Sequence, residues 1–398
     1  MAAKGTLKGI RGLVAGRGML DLDMDITSDS LNINELLSAY AVGSKFVPKT
    51  VTVLTAPEDL TEMNDEIYQE EVVTDTLADV TDVETSLIVI PANIRAQIRL
   101  DASNVKMSDL MLSKMQSRLT VKERCVQFMN TSARSEIGNI DFEGFYSTRT
   151  KKDLSTGFDL NISNVTAEKV IELIPAVDSL MPMLKSFKGQ LDCQLAATAD
   201  IDTTMNIIIP SVNGVIRIGG TNLTLSESEA FSQIAKKLKF KDRESGSIDR
   251  MSVEGMIRDN MLEVFPFILK IDRYTLAMSG IQNLDMSFKY HISVLDSPIP
   301  FRVGIDLYGD NFDDFKFRIG KAKYKNTNIP VFSSVIDQTR LNLKESIEKI
   351  FTVGVEKAIR QNESQSAIEE YKKKIDYTEA VDTQLDSLSA DEKAQFGE

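Results

Sequence analysis

Between positions 284 and 294 the chain alternates apolar and polar residues. Leu284, Met286, Phe288, Tyr290, Ile292 and Val294 interleave with Asp285, Ser287, Lys289, His291 and Ser293. Successive side chains on a β-strand point to opposite faces, so this pattern predicts one strand with a greasy face and a wet face. At ~3.3 Å per residue it would run roughly 36 Å, about twice the length of a typical strand. Long amphipathic strands of this kind recur down the chain, and each needs a cover for its apolar side.

Other segments follow the same period. Leu20, Leu22, Met24 and Ile26 alternate after an opening punctuated by Gly5, Gly9, Gly12, Gly16 and Gly18. Ser30 is a candidate cap for a helix over 31–40. Ile94, Ala96, Ile98 and Leu100 alternate with Arg95, Gln97 and Arg99, and shorter alternations follow at 119–121, 142–146 and 158–162. Asn164 or Thr166 would cap a helix whose apolar positions Val170, Ile171, Ile174, Val177, Leu180 and Leu184 recur at helical spacing, with Pro175 and Pro182 breaking it. Met205, Ile207 and Ile209 predict a further strand. Val215, Ile216 and Ile218 lead to Gly219–Gly220, read as a turn, and then to Leu223 and Leu225. A helix is predicted over 227–238.

The densest β region covers 251–257, 261–271, 274–278, 284–294, 301–307 and 315–319, and its short connections predict an antiparallel meander. After Val335, the positions Ile336, Leu341, Leu343, Ile347, Ile350, Phe351, Val355 and Ile359 fit an amphipathic helix, followed by a polar end. The chain thus divides into leading strands with a short helix (1–54), an acidic loop or insertion (55–86), the main β region (87–334) and a helical C-terminal cap with a polar tail (335–398). A weak repeat links 22–37 and 158–173, both reading strand, small polar turn, helix, with an echo at 99–112. Repetition of one such unit predicts an extended array.

Composition changes this picture in three places. The net charge of −13 argues against a nucleic-acid partner. Residues 56–85 hold eleven carboxylates, and 50–94 lack Lys and Arg; a like-charge block of this kind resists compaction. No run of 18 apolar residues exists, and the first ten residues lack the apolar stretch of a signal peptide. Either the protein is cytoplasmic or its targeting element lies outside this chain.

Catalytic chemistry is hard to assemble from these residues. One histidine confines Ser-His-Asp or Cys-His catalysis to His291, which the alternation places on the wet face as a surface residue. Two cysteines, Cys125 and Cys193, match no metal spacing, although one disulfide is open to them. The Gly12–Gly18 segment lacks the Gly-Lys-Ser/Thr ending of a phosphate loop. Glu143, Asp200 and Asp202 are candidate paired carboxylates, but no spacing selects them. The expectation is therefore a protein that is not an enzyme, with no catalytic residue, metal or cofactor. Its apolar strand face either packs as a sandwich core or lines a groove for acyl chains.

The passages at 160–202, 209–225, 247–280 and 288–310 resemble the C-terminal region of the AsmA family of bacterial envelope proteins. Residues 1–157 look like the preceding strands of that family. The resemblance implies a mostly β fold with a few short helices, in which an elongated, curved antiparallel sheet forms a U-shaped groove, and a helical C-terminal tail follows. It is similar to the chorein-type bridge proteins that carry phospholipid between membranes. It further implies a periplasmic, inner-membrane-associated protein supporting outer-membrane biogenesis and outer-membrane protein assembly. The partners would be phospholipid or another acyl-chain lipid, membranes at the groove ends and envelope proteins. This chain departs from the family in having no N-terminal membrane helix. The groove-lining positions would be Met205, Ile207, Ile209, Leu276, Met278, Leu284, Met286, Phe288, Tyr290, Ile292, Phe301, Val303, Ile305 and Leu307. The alternatives are a structural envelope protein with an ordinary packed core and a carbohydrate-active enzyme.

Overall fold

The computed structural model describes residues 1–14, 18–36, 88–107, 110–135, 138–150, 153–173, 184, 187–202, 204–225, 246–271, 273–284, 286–297, 302–311 and 315–354. The acidic loop, the helix expected at 227–238, Phe301 and the polar tail lie outside these residues.

The fold is mostly β. Seventeen strands belong to one hydrogen-bonded sheet. Two compact units are distinguished, the first built chiefly on Met1–Leu160 and the second chiefly on Ile209–Ser346.

In the first unit, β1 (Ala2–Lys8) pairs antiparallel with β2 (Leu20–Ser28), and the short helix α1 (Ile10–Val14) lies between them in sequence. β2 and the two-residue β3 (Leu31–Asn32) pair parallel with β4 (Ile94–Met107). The meander then continues antiparallel through β5 (Leu110–Lys122), β6 (Cys125–Ser135) and β7 (Gly138–Thr150). The parallel pairing is not foreseeable from alternation, because period 2 is the same for either sense. Asn32, rather than Ser30, caps the helical residues 33–36: its Oδ1 accepts the Asn34 N–H at 3.1 Å. Leu31, Ala102, Val105, Leu112, Met115 and Ala133 form the core of this unit. On the hydrated side, Arg99 bridges Asp23 and Asp25 across the parallel pair.

β8 (Asp153–Val165) and β10 (Leu191–Asp200) are paired and run through both units. After β8 the chain enters α2 (Ala167–Leu173), so the strand-turn-helix repeat is realised at its second copy. The two-residue β9 (Phe187–Lys188) pairs with the end of β11 (Asn213–Leu225). In the second unit, β10 neighbours β11, which opens an antiparallel meander of β12 (Gly246–Arg258), β13 (Met261–Ile271), β14 (Tyr274–Asn283), β15 (Phe288–Asp296), β16 (Val303–Gly309) and β17 (Phe315–Gly320). Asp259 and Asn260, both with positive φ, make the two-residue turn closed by the Arg258–Met261 pair. β13 carries a bulge between Val264 and Phe267, which is where Pro266 is tolerated inside a strand. The helix α3 (Ser333–Val353) follows the meander.

Three local expectations are corrected. The 284–294 pattern is not one strand, because Leu284 is in a turn and Met286 sits at φ 82°, so β15 begins at Phe288. The turn is held by Asn283 N–H donating to the Ser287 carbonyl at 2.8 Å and Met286 N–H to the Asn283 carbonyl at 3.0 Å. Gly219 and Gly220 are not a turn but lie inside β11. A Cβ on Gly220 would meet the Leu191 side chain at 2.9 Å and the Gln190 carbonyl at 3.0 Å, so close approach of β10 explains the glycine. Met205, Ile207 and Ile209 form no strand. Asp202 accepts N–H groups from Thr204 (2.8 Å) and Asn206 (2.9 Å), which folds the segment into a loop.

Candidate functional site

Cross-strand partners share a face, so the registers of the second unit sort its side chains into two sets. One set is predominantly apolar. It includes Leu191, Ile216, Ile218, Val253, Ile257, Leu262, Val264, Leu269, Leu276, Met278, Phe288, Ile292, Val294, Val303, Ile305 and Leu307. Apart from Asp249, which alternates with Met251 and Val253 near the start of β12, no Asp, Glu, Lys or Arg among the described residues falls on this face from β10 to β17. Eight strands at ~4.8 Å spacing make it roughly 34 Å wide. Gln282 and Tyr290 are polar exceptions, and the Tyr290 hydroxyl donates to Gln282 Oε1 at 3.3 Å. Burial pushes the Tyr290 phenol well above its ordinary range.

Seven of the predicted lining residues converge on this face at low exposure: Leu276, Met278, Phe288, Ile292, Ile305 and Leu307 are buried, and Val303 is half-buried. Tyr290 joins them as a half-buried side chain beside Phe288, with ring centroids 5.8 Å apart. Five further predicted positions do not belong to it. Leu284 and Met286 are half-buried turn residues, Met205 is half-buried in the Asp202 loop, and Ile207 and Ile209 are 40% and 41% exposed. The physical reason is local: the Asp202 and Asn283 hydrogen bonds bend both segments out of the extended conformation that alternation presupposes.

The opposite face is mixed. At its centre Arg217 on β11 is held by Glu254 of β12 (Nε to Oε1, 2.8 Å), Gln194 of β10 (3.2 Å) and Asp337 of α3 (2.7 Å). The Ser333 hydroxyl donates to Glu254 Oε2 at 3.0 Å. Phe332 stacks on Phe265 with ring centroids 4.3 Å apart, and Val335 and Ile336 complete the cluster over Val215 and Met256. The polar network and this stack together dock the first turns of α3.

His291 is not the surface residue that the alternation suggests. Its Nδ1 lies 2.7 Å from Asp306 Oδ1, and its Nε2 lies 3.0 Å from Ser293 Oγ. These are the distances of a Ser-His-Asp hydrolase triad. Two backbone groups close it. Lys323 N–H donates to Nε2 at 3.1 Å, and Tyr324 N–H donates to Ser293 Oγ at 3.0 Å. Ser293 is 0% exposed, so its hydroxyl has no room for a substrate carbonyl. The constellation therefore works as a fastening, binding the strap at 321–324 onto β15 and β16. The Tyr324 hydroxyl adds a 3.2 Å hydrogen bond with Ser279 of β14. Burial opposes ionisation of Asp306, but hydrogen bonds from His291 and Arg318 outweigh it and hold the carboxyl below its usual range. Sequence reasoning missed this cluster. His291 and Ser293 are two apart, which signals a shared strand face, but Asp306 joins them only through the β15–β16 register.

Of the other candidates, Asp202 is engaged by its own loop, and hydrogen bonds from Thr204 and Asn206 lower its pKa. Cys125 and Cys193 are both buried and are not joined in a disulfide. Among the described residues, no three His, Cys, Asp or Glu side chains are grouped to hold a metal ion, and no helix is long and apolar enough to cross a membrane. Comparisons with protein-family models, with curated proteins and with solved structures find no match to this chain.

Proposed function

We propose that the protein is a non-enzymatic lipid-binding protein of the bacterial envelope, sheltering acyl chains against the apolar face of the second unit. The observation that carries this reading is the near absence of charge from that face across eight adjacent strands, with Asp249 at the start of β12 as the exception among the described residues. Each CH₂ taken from water is worth ~0.8 kcal/mol, so an almost uncharged face of this width stabilises an acyl chain along its whole length. The resemblance to AsmA proteins supports the same reading. It adds phospholipid transfer in outer-membrane biogenesis, a periplasmic location at the inner membrane, and membrane and envelope-protein partners. Roofing of the His291 cluster is in keeping with a protein that does no hydrolysis.

A second reading rests on one observation: Leu276, Phe288, Ile292 and Ile305 are each less than 9% exposed. Packed this closely, they serve equally as the core of a structural envelope protein. Native mass spectrometry of protein purified from its host separates the two. Co-purifying phospholipid is the expected result. Lipid-free protein that also takes up no fluorescent phospholipid overturns the lipid reading and leaves the structural one.

A further inference from the structure

We infer that the His291 cluster is a pH-sensitive latch that releases the strap at 321–324 when its imidazole is protonated. Lys323 N–H is a fixed donor aimed at Nε2, so that nitrogen must carry its lone pair, and the ring's one hydrogen must sit on Nδ1, pointing at Asp306. Protonating the ring puts a second hydrogen on Nε2. The Lys323 N–H then faces another N–H and has lost its acceptor, and a backbone donor in that position cannot turn away.

Asp306 makes the response directional. Its carboxylate holds Nδ1–H in either state, and Arg318 fixes its second oxygen at 2.9 Å. The ring therefore stays on β16 while the strap is let go. Among the described residues, the following groups lie near the ring on the neighbouring strands and the strap. Lys289 is two residues away on the same face of β15, Ser279 lies opposite on β14, and Tyr308 is paired with Lys289 on β16. On β17, Arg318 and Lys316 are paired with Asp306 and Tyr308, and Lys323 of the strap sits with its ammonium 5.8 Å from the Tyr324 ring centroid. Apart from Asp306, no carboxylate among these groups is placed to welcome the charged ring. The strap's partners on the sheet, Ser293 and Ser279, are both buried.

Because the chain has one histidine, its titration is read without ambiguity. Nitrogen-detected NMR at pH 7.5 should find the Nδ1–H tautomer; an Nε2–H tautomer overturns the latch. Hydrogen exchange at the Lys323 and Tyr324 amides, corrected for intrinsic rates, should lose protection about tenfold or more between pH 7.5 and 5. In His291→Gln, whose amide oxygen can accept the same N–H without titrating, that protection should be flat across the range. Equal pH dependence in both proteins overturns the inference. If the variant does not fold, the wild-type tautomer and exchange profile decide alone, since unchanged protection down to pH 5 is also contrary to it.

Discussion

At the scale of single residues, the environment of a group fixes its chemistry. Cys193 sits on the apolar face, and burial pushes its thiol up to about 12. Only thiolate reacts with disulfide reagents, so Cys193 should label at least ~100-fold more slowly in the native protein than in denaturant; fast native labelling would show that the face opens freely. Gly280 shows the opposite constraint. It lies across from Tyr290, and a Cβ there would run into the Tyr290 ring, so Gly280→Val should cost about 1–3 kcal/mol in urea unfolding. Asp306 gives a pH dependence with a definite sign. Its folded pKa is depressed, so its contribution is present above the unfolded value near ~3.9 and is lost as pH falls through the folded value. The Tm should fall more steeply on acidification below about pH 4 in wild type than in Asp306→Asn.

At the scale of elements, β13 to β17 were legible because alternation, turn residues and short spacing agreed. Asp259–Asn260 states its turn in the sequence, and Pro266 marks its bulge. The failures have a common cause. Asp202 and Asn283 offer side-chain and backbone hydrogen bonds that compete with the ladder, and a pattern of apolar positions does not register that competition. The parallel seat of β2 on β4 was equally hidden, since it joins segments about 70 residues apart, as the Asp25–Arg99 contact illustrates. The docking of α3 was half legible. Its apolar stripe is legible in the sequence, but nothing in the pattern sets Arg217, which ties Asp337 and Glu254 together, apart from other polar strand residues. Removing that guanidinium leaves Glu254 half-buried without its cation, so Arg217→Ala should cost about 2 kcal/mol. Phe332→Ala should cost about 3–5 kcal/mol through loss of the Phe265 stack. Chemical denaturation measures both, and two neutral results would mean that α3 does not contribute to the fold's stability.

At the scale of the whole molecule, the two faces of the second unit divide the work. The mixed face is covered by the strap and by α3, each fastened with polar networks that specify where it lies. Among the described residues, the apolar face shows no comparable polar network. It is almost uncharged over eight strands and is composed of side chains acting collectively, so no single truncation is expected to abolish binding. Photo-crosslinking from a benzophenone residue at position 288, in protein incubated with phospholipid vesicles, tests the lipid-binding claim most directly. A covalent adduct to phospholipid is the predicted result. Crosslinks confined to the protein chain would contradict it and make the apolar face an ordinary packed core.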